Sequence, residues 1–142
     1  MIVPDVNLLI YAHAAQAPLH ARARAWWERT VRSGQPIGLP WAVSLGFVRL
    51  MTHPSVLTSP MHPEQAIAVL ESWYERPQVH VLDPGTRHLV LLGSLLKGLG
   101  VAANLTTDAH LAALAIEHGC ELHSNDADFG RFPGLRWVNP IA

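Results

Sequence analysis

Apolar and polar positions divide this chain into short elements of two periods. Ile2 and Val3 are a brief apolar run closed by Pro4 and Asp5, the pattern of a buried strand, and a helix is expected from about Asn7. In LHARARAWWERTVRSG, the residues Leu19, Ala23, Trp26, Trp27 and Val31 form one helical stripe. Arg22, Glu28, Arg29 and Arg32 face away from it, Pro18 suits the first turn and Gly34 the stop. IGLP is a short apolar piece leading into the mostly apolar helix WAVSLGFVRLMTH, which stops before Pro54. SPMHPEQAIAVLESWYERP reads as a helix with Pro63 in its first turn and Ala66, Leu70 and Trp73 or Tyr74 inward. VHVL is the next strand. TRHLVLLGSLLKGLG is a helix with Leu89, Leu92, Leu95, Leu96 and Leu99 on its apolar side. NLTTDAHLAALAIEHG is another, with Leu111, Leu114 and Ala115 on one side and Gly119 at its end. CELHS is a strand, NDADF a polar turn, and LRWVNP a last short strand.

Strands alternating with helices indicate an α/β fold with a mainly parallel sheet. In such sheets ligands bind outside the carboxyl ends of the strands. Acids gather at positions of that kind. Asp5 follows the first strand, Asp126 and Asp128 follow CELHS, and Asp108 lies in the first turn of a helix. Each has an ordinary explanation: Asp5 suits a helix N-cap, Asp108 complements a helix dipole, and Asp128 caps a turn. Their joint placement suggests a site instead. Clustered carboxylates repel unless protonated or neutralised. The usual neutraliser of an all-oxygen site is Mg²⁺ or Mn²⁺, which serves phosphodiester hydrolysis without a nucleophilic serine or cysteine.

Composition narrows the picture. At 142 residues a single domain over 1–142 is expected. No apolar run spans a bilayer and no signal peptide is recognisable, so a soluble cytoplasmic protein without membrane association is expected. The lone Cys120 reads as a small buried hydrophobe. The nine histidines lack the short ligand spacing of a zinc site. A net charge of −1 is low for a chain holding nucleic acid by charge alone, so local arginines, a cation or a partner would be needed. Arg22, Arg24, Arg29 and Arg32 form a basic strip, either a solvated face or a phosphate contact. Of the adjacent Trp26 and Trp27, one should face the core and the other a partner. Arg49, in an apolar helix, calls for a carboxylate or a bound phosphate.

DVNLLIYA, FVRLMTHP, NLTTDAHLAALAIEHG and SNDADFGRFPGLRWVNP, in this order, make the chain resemble PIN-domain ribonucleases, specifically VapC-type toxins of bacterial toxin–antitoxin pairs. The resemblance implies a PIN-like fold with a five-stranded parallel sheet flanked by helices. It carries catalytic and metal-ligating roles to Asp5, Asp108 and Asp126, and an additional metal-ligating role to Asp128. Asn7, Asn104 and Arg49 take supporting positions. It implies an endoribonuclease that uses Mg²⁺, with Mn²⁺ able to substitute, and cuts structured RNA such as tRNA or rRNA to block translation. A VapB-like antitoxin and a homodimer partner are expected with it, on apolar helix surface beyond what one small core requires. One position departs: the glutamate usual three residues before the middle arginine is Gly46 here. The alternatives are a catalytically weak PIN-like binding module and a small metal-dependent phosphatase. The retained aspartates argue against the first, and the lone Lys97, with no motif around it, against the second.

Overall fold

A computed structural model describes residues 1–100 and 103–142. Its sheet has five parallel strands: β1 (Ile2–Pro4), β2 (Ile37–Leu39), β3 (Val79–Val81), β4 (Glu121–His123) and β5 (Arg136–Val138), in the order β3-β2-β1-β4-β5. Between them run α1 (Val6–His13), α2 (His20–Arg32), α3 (Trp41–Met51), α4 (Pro63–Tyr74), α5 (His88–Leu99) and α6 (Thr106–Glu117). The expected α/β fold, with a five-stranded parallel sheet flanked by helices, is therefore present. IGLP, too short to assign from the sequence, supplies β2. Pro18 lies in the turn before α2, not in its first helical turn. The helix expected from Asn104 starts as a 3₁₀ turn, Ala103–Leu105, and becomes α-helical at Thr106. NDADF likewise contributes to a 3₁₀ turn, Ala127–Arg131.

The chain builds outward from β1 in one direction through β2 and β3, then crosses back to place β4 on β1's other side. The direction of winding thus reverses between β1 and β4, the place where α/β sheets open a crevice at their carboxyl edge. Pro4 has no amide proton and ends β1. The next amide, of Asp5, donates to the His123 carbonyl at 2.8 Å and holds the two strand ends together.

β1 and β2 are buried along their whole length, as a strand covered on both faces must be. The core beside them is strongly aromatic. Trp27 and Trp73 meet edge to face at 5.4 Å, Phe47 and Trp73 at 4.9 Å, and His13 packs against Phe47 at 5.3 Å. These contacts join α1, α2, α3 and α4 into one layer. Trp26 and Trp27 are both buried, which corrects the expectation that one of them faces a partner. Their side chains diverge about 100° around α2, yet the helix is sunk deeply enough for both to be covered. Leu89 is the opposite correction: it is 78% exposed, because α5 meets α6 through Leu95 and its half-buried neighbours.

Where α3 crosses α1, a Cβ on Gly46 would stand 3.3 Å from Val6 Cγ2, tighter than ordinary contact. The glycine is a point of close approach beside the residue that follows Asp5. Ser44, fully buried on α3, is satisfied by the Tyr74 hydroxyl at 2.6 Å and is turned toward α4.

Phe47 is fully buried at the centre of the aromatic layer. Phe47→Ala should cost about 3–5 kcal/mol of stability through lost burial and the cavity left behind. A shift of the urea midpoint at unchanged m-value measures it.

Candidate functional site

The sheet topology delivers Asp5 and Asp126 to neighbouring strand ends. Asp5 sits between β1 and α1 with N-cap backbone geometry, φ −72° and ψ 146°, yet its side chain makes no capping hydrogen bond. Instead the carboxylate is only 5% exposed, and its Oδ2 accepts a hydrogen bond from Ser124 Oγ at 2.8 Å. Ser124 Oγ in turn accepts the Asp126 amide proton at 3.0 Å. Ser124 is itself fully buried, and its backbone is held from β5. Its amide donates to the Val138 carbonyl at 3.0 Å, and its carbonyl accepts from Trp137 Nε1 at 2.9 Å. Three strands therefore position one hydroxyl against one carboxylate. The capping role falls to Asp126, not to Asp128: Asp126 Oδ1 accepts the Asp128 amide proton at 2.9 Å.

Asp108 enters from the first turn of α6, half-buried. Its carboxyl is pushed up to about 6, first by burial and then by the negative charges of Asp5, Asp126 and Asp128. Burial also raises the Asp5 carboxyl. The Ser124 hydroxyl and the nearby Val6 and Asn7 amides oppose that rise, and the charge of Asp126 adds to it. Among the described residues, no lysine, arginine or histidine acts on either of these two acids. Asp128 is exposed, 4.0 Å from the similarly exposed Arg131.

The acids thus form one electrostatic unit with surplus negative charge. Their donors are all oxygen, the chemistry of a hard divalent cation. Among the described residues, no three acidic, histidine or cysteine side chains stand close enough to clasp an ion directly. The donor set suits an ion such as Mg²⁺, which keeps several of its waters and meets carboxylates partly through them.

The remaining sequence candidates separate. Asn7 is half-buried, with its amide beside the Asp5 carboxylate. Asn104 is exposed on the 3₁₀ turn before α6. Arg49 is exposed and joins no ion pair among the described residues, so it needs no buried counter-charge: solvent meets it. The residue that sequence reasoning missed is Ser124. Its signal was a hydroxyl at the end of CELHS, two residues before an acid, but only strand pairing aims it at Asp5.

The histidines do not gather at this site. His88 Nε2 lies 2.8 Å from His110 Nδ1, and His88 Nδ1 lies 3.4 Å from Glu117, bracing α5 against α6. No helix among the described residues is long and apolar enough to cross a membrane.

A model of the PIN domain matches residues 2–135. Ribonuclease VapC33 of Mycobacterium tuberculosis is 45% identical over 141 residues, covering 99% of each chain. Ribonuclease VapC37 of the same species is 37% identical over 142 residues, covering 100% of this chain and 99% of that one. Among solved structures, VapBC-1 from nontypeable Haemophilus influenzae aligns with a TM-score of 0.69 at 20% identity, over 100% of both chains. VapBC2 from Rickettsia felis, bound to a DNA fragment from their promoter, aligns with a TM-score of 0.67 at 22% identity, over 98% of both.

The raised Asp108 carboxyl has a signed consequence. The folded chain holds that proton more tightly than the unfolded one, so the associated stability is present below about 3.8 and lost as pH rises through about 6. His13, His110 and His123, held below their ordinary values mainly by burial, act in the opposite sense. The expected result is therefore a difference: the stability of Asp108→Asn relative to the parent rises as pH climbs from 4 toward 7. Thermal midpoints of both proteins across that range, without divalent ions, measure it. Added Mg²⁺ should stabilise the parent more than the variant at pH 7.

Proposed function

The chain belongs to the PIN-domain family, and from that premise we propose that it is a metal-dependent endoribonuclease, the toxin of a type II toxin–antitoxin pair. The observation that carries the reading is the uncompensated group of Asp5, Asp108 and Asp126 at the carboxyl edge of the sheet. Relatives named ribonucleases, similar over nearly their full length, support the same reaction class. The match over residues 2–135 supports reading residues 1–142 as one PIN domain. Structural neighbours named as VapBC complexes support a VapB-like antitoxin as the partner.

In this reading Asp5, Asp108 and Asp126 would hold a Mg²⁺ ion, partly through its waters, with Asp128 contributing from the rim and Mn²⁺ able to substitute. When bound, the ion supplies charge neutralisation for the phosphodiester and activation of a water molecule. The chain's own residues prepare the place for it. Ser124 fixes the Asp5 carboxylate in one orientation, and its hydrogen bond favours the ionised form that burial disfavours. The Asp126 backbone is tied to that hydroxyl, so two acids keep a common reference. Asp108, on α6, brings its charge from a separate element and raises the demand for a cation. Structured RNA is the proposed substrate class, because a rigid carboxyl edge admits a phosphodiester that is presented to it. The site lies on a chain with no membrane-crossing helix among its described residues, consistent with action in the cytoplasm.

The test is cleavage of bulk tRNA and ribosomal RNA by the purified chain, with Mg²⁺ and with a chelator. Cleavage should need the ion and should fall to background in Asp5→Asn at unchanged circular dichroism. RNA cut equally well by that variant would remove the mechanism. Ser124→Ala leaves all the carboxylates in place but frees Asp5, and should lower metal affinity or activity about 10–100-fold. Calorimetric Mn²⁺ titration beside the cleavage assay distinguishes that loss from a folding defect.

A further inference from the structure

The basic strip of α2 divides in two. Arg24 is tied to Glu28 along the helix at 2.9 Å. Arg22 and Arg29 are exposed and join no ion pair among the described residues. Seven positions apart, they stand on one face of α2, about 10 Å from each other along its axis. With Ala21 and Ala25 they line one side of a groove of about 380 Å³, and Pro140 and Ile141 form the opposite wall. That wall is held in place. Ile141 is 6% exposed, its amide donates to Asn139 Oδ1 at 3.1 Å, and its carbonyl stands 3.5 Å from Arg22 Nη1. The contact leaves most of the five guanidinium donors of Arg22 free. Among the described residues, no aspartate or glutamate side chain lines the groove. It also opens beside the acids. β5 pairs with β4, and the Val138 carbonyl at the end of β5 accepts the amide proton of Ser124, the residue that holds Asp5 and the Asp126 backbone. Ile141 is three residues beyond Val138, a reach of at most about 11 Å. The basic groove and the acidic site therefore share the carboxyl edge of the sheet.

We propose that the groove between α2 and the segment after β5 is a second RNA-backbone site, in which Arg22 and Arg29 bind phosphates of the strand whose scissile bond lies at the acids. Its substrate class rests on the nuclease reading above. The acids repel a polyanion, and a net charge of −1 supplies no general attraction, so the strand must be held by cations close by. Arginine–phosphate contacts fix the position of a strand without reading its bases. Ala21 and Ala25 keep the floor low enough for a sugar–phosphate backbone to approach the helix. A protein occupant is disfavoured, because no large apolar side chain lining the groove is exposed to act as an anchor.

Fluorescence anisotropy of labelled bulk tRNA tests the site, with a chelator present so that no RNA is cut, over about 50–200 mM KCl. For the parent, log affinity should fall linearly with log salt. Arg22→Gln combined with Arg29→Gln should weaken binding about tenfold or more and flatten the slope by about 2, one for each lost phosphate contact. Arg22→Lys combined with Arg29→Lys should restore most of the slope, which no packing defect would allow. Arg24→Gln, on the same helix but paired with Glu28, should bind as the parent does. In the cleavage assay with Mg²⁺, the loss in the double glutamine variant should fall on KM and not on kcat. The proposal is overturned by a parent that does not bind RNA, by a double glutamine variant with the parent's slope, or by an equal loss in Arg24→Gln. It is equally overturned if the double variant binds RNA normally and loses a protein partner instead. Groove-dependent binding by a chain that never cleaves RNA would leave this site standing and remove the nuclease reading. Cleavage with an unchanged slope in the double variant would do the reverse.

Discussion

A carboxylate buried at the end of the central strand, held by a single hydroxyl, is the constraint around which this molecule is organised. Burying Asp5 without a cationic partner costs free energy that a folded protein retains only when it is offset. The Ser124 hydroxyl and the nearby backbone amides offset part of it. The rest is left as an electrostatic demand, and Asp108 and Asp126 enlarge that demand. That demand is what the proposed divalent ion would meet. Evenly spread acids, each solvated and each paired, would make no such demand.

The fold supplies what this arrangement needs, which is rigidity. Ser124 belongs to the segment leaving β4, and its backbone is bonded to β5 while its hydroxyl reaches Asp5 after β1. Displacing it would break bonds to two other strands. On the helical side, interlocking aromatic rings hold α1 through α4 as one layer, so the start of α1, where Asp5 sits, has little freedom to drift. The close contact of Gly46 with Val6 belongs to the same layer. At the position where the resemblance leads one to expect a glutamate, this chain carries a residue that lets two helices meet. In the proposed reading the aspartates would hold an ion with fewer charges than a site with a further acid, and partly through its waters.

Charge is distributed to match. The net charge of −1 conceals a separation, with acids at the carboxyl edge and exposed arginines along α2. Arg24 is paired with Glu28 on the same helix, so part of that basic strip is an ordinary solvated face. Arg49 stands apart from both groups, at the end of an apolar row on α3.

The sequence alone determined the class of fold, because period-two and period-3.6 patterns reflect which side of each element must leave water. It also marked Asp5, Asp108 and Asp126 as candidates, because acids placed where strands end and helices begin are legible from spacing. It did not decide which neighbours those acids would have. Asp5 and Ser124 are 119 positions apart, and only the pairing of β1 with β4 brings them together. The same limit explains the misreadings. Trp26 and Trp27 diverge on a helical wheel, but a wheel carries no information on how deeply a helix is sunk. Leu89 fits the apolar stripe of α5, yet α6 covers a different arc of that helix. Arg49 looked buried because its sequence neighbours are apolar, whereas α3 has one uncovered side and Arg49 lies on it. Local pattern reports the preference of each residue for water, and tertiary packing decides which of those preferences is met and by whom.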